Sequence, residues 1–264
     1  MHTIIVKKCL LLLLIISVLI TTTGSAYVFP YEDGEGYFEE VSRYESLYAS
    51  SSNGRKHNVA LAAEALDGTY LQSGGRLSFN AVVGKRSAER GYREAPVIEN
   101  GKYVPGIGGG VCQVSTALFN AALLAGLDIE TSVNHSYPSS YAPPGLDAAV
   151  SEYADLVILN SSDYPAIVCA DADGEKLVVT IYSQKTSSIG KICLTTVVEK
   201  VVVGEYEKEF CDPSELGEET EKILVPTRDG CVVSTYRIKD GKKEKIRTSY
   251  YKPQNGVKLV TKEA

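Results

Sequence analysis

The stretch Pro105-Gly106-Ile107-Gly108-Gly109-Gly110-Val111-Cys112-Gln113-Val114-Ser115-Thr116 decides how the rest of the chain is read. Its glycines let backbone segments approach closely and adopt conformations that other residues avoid. The apolar run that follows predicts a helix over 112–125, stopped by Gly126. On that helix Cys112, Thr116, Phe119 and Leu123 form one stripe, and Val114, Leu118, Ala121 and Ala125 another. A helix apolar nearly all round belongs inside a core, so only its start is expected to meet solvent.

Working outward, a shorter helix is predicted from His57 or Asn58 to Leu66, closed by Asp67-Gly68. Short strands are predicted at 77–83, 95–98 and 102–104, with turns at Gly84 and Asn100-Gly101. Extended runs follow at 129–133, 148–150, 155–160, 166–170 and 176–182, the last two joined by the hairpin signal Asp173-Gly174. Helix first and strands afterwards argue for an α+β fold, a buried helix leaving a Gly-rich loop and covered by an antiparallel sheet. Residues 27–52, rich in Tyr, Glu, Gly and Ser, read as a flexible lead-in to a domain over 53–183. Residues 184–264 read as a small all-β module, with strands at 197–203, 223–226, 231–239 and 244–250 and an acidic loop over 211–221. Nothing in that module looks catalytic, and a spacer or attachment role is the expectation for it.

At 264 residues with 44% hydrophobic and 23% charged side chains, the chain has globular composition, which excludes a disordered, collagen-like or multi-pass membrane protein. A net charge of −6 leaves no electrostatic footprint for nucleic acid. Lys7 and Lys8, the apolar run 9–20 and the small residues 21–26 have the layout of a secretory signal, too short for a comfortable membrane span. The alternative is an uncleaved anchor, the one route to a membrane association. Residues 1–26 contain no acid, so their removal makes the chain more acidic still, and no basic patch for wall polymers is evident. Five cysteines remain after residue 26; 211 with 231 and 169 with 193 is one of the pairings open to an exported protein, leaving Cys112 unpaired, and the alternative is five reduced thiols.

The chemistry centres on Cys112. A thiol on the first turn of a helix meets unsatisfied backbone N–H groups and the positive end of the helix dipole, which favour the thiolate. The same region, Gly109 and Gly110 with Gln113, Ser115 and Tyr137 nearby, is a candidate for binding the oxyanion of a tetrahedral intermediate or the substrate around it. The candidate base is His135, at the end of the first extended run after the helix. Cysteine on a helix, then histidine on a strand, is the order found in papain-like and transglutaminase-like thiol enzymes. Asp147 and Asp155 are both candidates to orient the imidazole. The glycine run lacks the spacing of a phosphate loop or a dinucleotide fingerprint, and His57, Cys112 and His135 lack paired spacing for zinc. Neither a cofactor nor a metal is therefore expected. Each residue also has an ordinary use: Cys112 as a small core residue, His135 as a polar strand end, Asp147 as a turn cap.

Several ordered segments carry a family resemblance: Arg55-Lys56-His57-Asn58, Leu77-Ser78-Phe79-Asn80, Gly91-Tyr92, Gly106 through Thr116, His135-Ser136-Tyr137-Pro138, Tyr141 with Pro143-Pro144-Gly145, Asp147-Ala148, Asp155-Leu156 and Asn160. Over 53–183 the chain resembles the VanW domain, a family named from vancomycin-resistance gene clusters. Ser73-Gly74-Gly75 and Ala149 depart from the family's preferred Pro-Gly-Glu and Thr, both away from the cysteine. The resemblance implies export and a cell-envelope role in Gram-positive-type bacteria, with peptidoglycan or another wall polymer as partner. Around Gly230, Gly241 and Gly256 the carboxy-terminal module is similar to the G-five type of wall-associated domain. Two functions fit these readings: a Cys-His amidase, peptidase or transpeptidase acting on peptidoglycan peptides, and a non-catalytic wall-binding module whose helix start holds an anionic group.

Overall fold

In the computed structural model, residues 38–99, 102–184, 191–216 and 219–261 are described. The segment read as a secretory signal lies outside them. Among the described residues no helix is long and apolar enough to cross a membrane.

The described residues open with β1 (Glu39–Leu47), then α1 (Asn53–Leu66), β2 (Thr69–Leu71), β3 (Arg76–Ser78) and the short α2 (Phe79–Val83). A hairpin of β4 (Glu94–Glu99) and β5 (Lys102–Ile107) leads into α3 (Val111–Leu124), followed by β6 (Asp128–Thr131), β7 (Val157–Leu159), β8 (Ala166–Ala172) and β9 (Lys176–Ser183). This is a mixed helix and sheet architecture with mainly antiparallel pairing, consistent with α+β.

Two expectations change. Residues 39–47, read as lead-in, form an edge strand of the sheet β1-β9-β8-β2. Its inward positions include Ser42 and Ser46 in place of large apolar residues, and Ser42 Oγ donates 2.7 Å to the carbonyl of Ala121 on α3. The apolar alternation that announces a strand is therefore missing. Within the run 77–83, Ser78 caps a helical turn by accepting the N–H of Ala81, and Gly84 (φ 75°) ends it. Five residues of which four are apolar fit a strand and a buried turn equally well; the cap decides. Upstream, α1 begins five residues before Asn58, because Ser52 takes the cap position.

The core forms around α3. Every residue from Gln113 to Leu123 is buried, with Leu118, Phe119 and Leu123 fully enclosed. Each such side chain contributes about 1.5–3 kcal/mol relative to exposure. Leu177, Val179 and Ile181 of β9 face this core, while Tyr182 joins Phe38 and Ile167 in a small cluster on the sheet's other face. The end of α3 is closed by a Schellman arrangement: Gly126 (φ 79°) donates to Leu123 O and Leu127 to Ala122 O.

The carboxy-terminal part comprises β10 (Ile192–Val202), β11 (Tyr206–Cys211), the four-residue α4 (Pro213–Leu216), β12 (Glu221–Val225), β13 (Gly230–Lys239), β14 (Lys242–Tyr251) and β15 (Gly256–Thr261). These strands form the sheets β10-β13-β14 and β11-β15-β12. The segment read as an acidic loop holds the end of β11, α4 and the first residue of β12. The module is not separate from the core: Leu194 is buried in it, and Arg237 reaches Leu127 O (2.7 Å) and Asp128 (3.1 Å). Cys112, Cys169, Cys193, Cys211 and Cys231 are all free thiols, so neither suggested pair is formed.

Candidate active site

The glycine run places Cys112. Gly108 and Gly110 have φ of 86° and 110°, a region costly to residues with a Cβ. A Cβ on Gly109 would fall 2.6 Å from Pro96 O, and one on Gly110 would fall 2.9 Å from Arg55 Cγ. The loop thus packs directly against β4 and α1, where buried Asn58 fixes it by donating to Gly109 O (3.0 Å) and Arg93 O (2.9 Å). Because the capping residue is glycine, no side chain occupies the first N–H groups of α3. Val111 and Gln113 N–H bond Gly108 O and Gly110 O; among the described residues nothing accepts from the N–H of Cys112.

The half-buried sulfur of Cys112 lines a cleft of about 1350 Å³ together with His135, Tyr137, Tyr141 and Gly108 to Gly110. The Val150 N–H lies 3.5 Å from Sγ. His135 stands beyond β6, where Val133 bridges to Ala149 and turns the chain back toward the helix start. Its Nδ1 lies 2.6 Å from Asp147 Oδ2, and its own backbone N–H donates to the same oxygen at 2.7 Å. Tyr141 Oη is 3.2 Å from Nε2, with its ring edge-on to the imidazole.

The three ionisable groups act on one another. Burial pushes the Cys112 thiol up, but the hydrogen bond and charge of His135, the Val150 backbone and Arg86 outweigh it and leave the thiol below its ordinary value. Burial works against a charged His135, yet the hydrogen bonds of Asp147 and Cys112 push it up to about 9. Asp147 is disfavoured by burial and still held below the usual carboxylate range by His135 and the Tyr251 hydroxyl. Each charged form therefore supports its neighbour, the imidazolium favouring both the thiolate and the carboxylate.

Asp155, the other candidate orienter, does not join them. Its carboxylate accepts from Ser78 Oγ (2.5 Å) and from the N–H groups of Asn80 (2.9 Å) and Leu156 (2.8 Å), tying β3 and α2 to β7. The Gln113 amide is also committed elsewhere: Nε2 donates to Ser46 (2.6 Å) and Leu47 O (3.1 Å), and Oε1 accepts from Arg55 (2.8 Å). A buried amide must satisfy its polar atoms internally, so it is no donor to an oxyanion. Ser115 is enclosed and bonds Ala148 O (2.7 Å), holding the Asp147 segment to α3. Tyr141, Arg55 and Asn58 are site residues that the chemical reading of the sequence missed; their segments stood out only through the family resemblance.

Residues 54–182 match the sequence model of the family described as "VanW like protein". The chain carries a VanW-like domain. Over 146 residues it is 38% identical to a Bacillus subtilis (strain 168) protein, "Uncharacterized protein YoaR", covering 55% of this chain and 48% of that one. Over 134 residues it is 31% identical to "Vancomycin B-type resistance protein VanW" of Enterococcus faecalis (strain ATCC 700802 / V583), covering 48% of this chain and 49% of that one. The chain spans about half the length of these curated relatives. The match encloses Cys112, His135 and Asp147 and stops before the carboxy-terminal strands.

Proposed function

We propose that this is an exported cell-envelope thiol enzyme that cleaves or exchanges amide bonds in peptidoglycan peptides. The observation that carries the reading is the buried Asp147–His135 pair beside a helix-start cysteine on one cleft. The Cys112 thiolate attacks the amide carbonyl carbon, and the resulting oxyanion is received by the Cys112 N–H. His135 Nε2 gives its proton to the leaving amine as the C–N bond breaks, leaving a thioester and a neutral imidazole. His135 then takes a proton from water or an acceptor amine as that group attacks the thioester, releasing acid or new amide and restoring the thiolate. Asp147 keeps the ring oriented and stabilises its charged form.

Arg55, Arg86 and Lys252 line the cleft, and among its described lining residues there is no Asp or Glu. In a chain of net charge −6 this supports a substrate bearing carboxylates. The likeness to a protein named for vancomycin resistance supports the cell envelope as the place of action.

The test is alkylation of Cys112 by iodoacetamide across pH, followed by mass spectrometry of the protein incubated with wall-derived peptides. Enhanced reactivity at neutral pH and an acyl adduct absent from Cys112→Ser are expected. A folded protein whose Cys112 reacts no faster than free cysteine sinks the proposal.

A further inference from the structure

We propose that Tyr251, supported by Arg247, is a positioning residue of this site, so that the carboxy-terminal strands complete the catalytic arrangement instead of merely following it. The inference rests on the thiolate–imidazolium reading above.

Tyr251 closes β14 and is fully enclosed. The Gly145 N–H donates to its hydroxyl at 2.6 Å, and the hydroxyl donates to Asp147 Oδ1. A phenol has one proton to give. With Gly145 supplying a donor, that proton is directed at the carboxylate. Asp147 Oδ2 takes both bonds from His135, so Tyr251 satisfies the other oxygen and fixes the rotation of the carboxylate.

Arg247 stands four residues earlier on the strand and therefore shares the same face. Its guanidinium donates to Gly145 O (3.1 Å) and to Asp147 O, and lies 3.6 Å from Asp147 Oδ1. It also stacks 4.6 Å over the ring of Phe119 in α3 and bonds Ser132 at 3.2 Å. On either side of Tyr251 the backbone clamps His135: Asn134 Nδ2 donates to Tyr250 O (2.9 Å), and the Lys252 N–H donates to Ser136 O (2.7 Å). Residues 250–252 thus hold both neighbours of the imidazole and the carboxylate behind it. The VanW-like segment ends at residue 182, so Arg247, Tyr250, Tyr251 and Lys252 lie outside it.

Losing the hydroxyl frees the carboxylate to rotate away from Nδ1, and so weakens the Asp147–His135 hydrogen bond, the charged state of His135 and the thiolate it supports. The remaining charged or titratable groups facing the pair are Arg55, Arg86, Tyr141 and Arg247. In the full chain, Tyr251→Phe is expected to raise the pH midpoint of Cys112 alkylation by about one unit, roughly a tenfold loss of thiolate below the midpoint. Thr235→Val removes a bond from β13 to the same loop, Thr235 Oγ1 to Gly145 O (2.7 Å), without touching the carboxylate. It is expected to lower the melting temperature and leave the midpoint alone. A folded Tyr251→Phe with an unmoved midpoint overturns the inference. If that variant does not fold, Arg247→Lys is read in the same way, with a smaller upward shift expected and an unmoved midpoint equally fatal. A wild-type midpoint at the ordinary thiol value sinks the thiol-enzyme reading itself, which keeps the two failures distinct.

Discussion

At the scale of single residues, the two aspartates have different work. Asp147 is buried against His135, whereas Asp155 accepts bonds that join a turn to a strand. Asp147→Asn keeps the shape but removes the charge and presents the wrong partner to Nδ1, so turnover on wall peptides should fall by about 10²–10⁴-fold. Asp155→Asn should leave Cys112 alkylation unchanged and lower stability by about 1–2 kcal/mol, read by thermal or urea unfolding. The pH profile follows from the same groups. Activity should rise as Cys112 ionises, below the ordinary thiol range, and fall as pH passes about 9, where the imidazolium loses the proton it must donate. A single-limbed profile without the alkaline fall would remove His135 as the acid.

At the scale of elements, the glycine loop and α3 work as a unit. The loop needs positive φ at Gly108 and Gly110 and bare backbone at Gly109, because β4 and α1 press on it. Gly110→Ala must adopt an unfavourable φ and push Arg55 and Val59 aside, so it should destabilise the fold by more than about 1 kcal/mol, read as a lower urea midpoint. The helix was legible because a glycine run followed by an unbroken apolar stretch has few other solutions. β1 was not, because it pairs with β9 through its backbone and presents serines to α3. The short α2 was not, because its apolar run carries no period of its own.

At the scale of the whole molecule, the cleft gathers cations from distant parts of an acidic chain: Arg55 on α1, Arg86 after α2, and Lys252 just beyond β14. Lys252→Ala removes an exposed charge from the rim, so KM for a carboxylate-bearing peptide should rise about two- to fivefold while kcat holds, with weaker salt dependence. An unchanged KM would take Lys252 out of substrate binding. The carboxy-terminal strands, read from sequence as a spacer, bring Arg247 and Tyr251 to the Asp147 loop.

Local patterns in neighbouring residues were enough to single out Cys112 as a candidate, together with the helix that carries it and the histidine that lines the same cleft. A glycine run, an apolar period and a lone downstream imidazole are all short-range signals. The choice of Asp147 over Asp155, the diversion of the Gln113 amide to β1 and the seating of Tyr251 behind the carboxylate were decided only by tertiary structure. Those contacts join residues 12, 67 and 104 positions apart, and each depends on which buried polar atom finds a partner once the core has closed. No local pattern encodes that outcome.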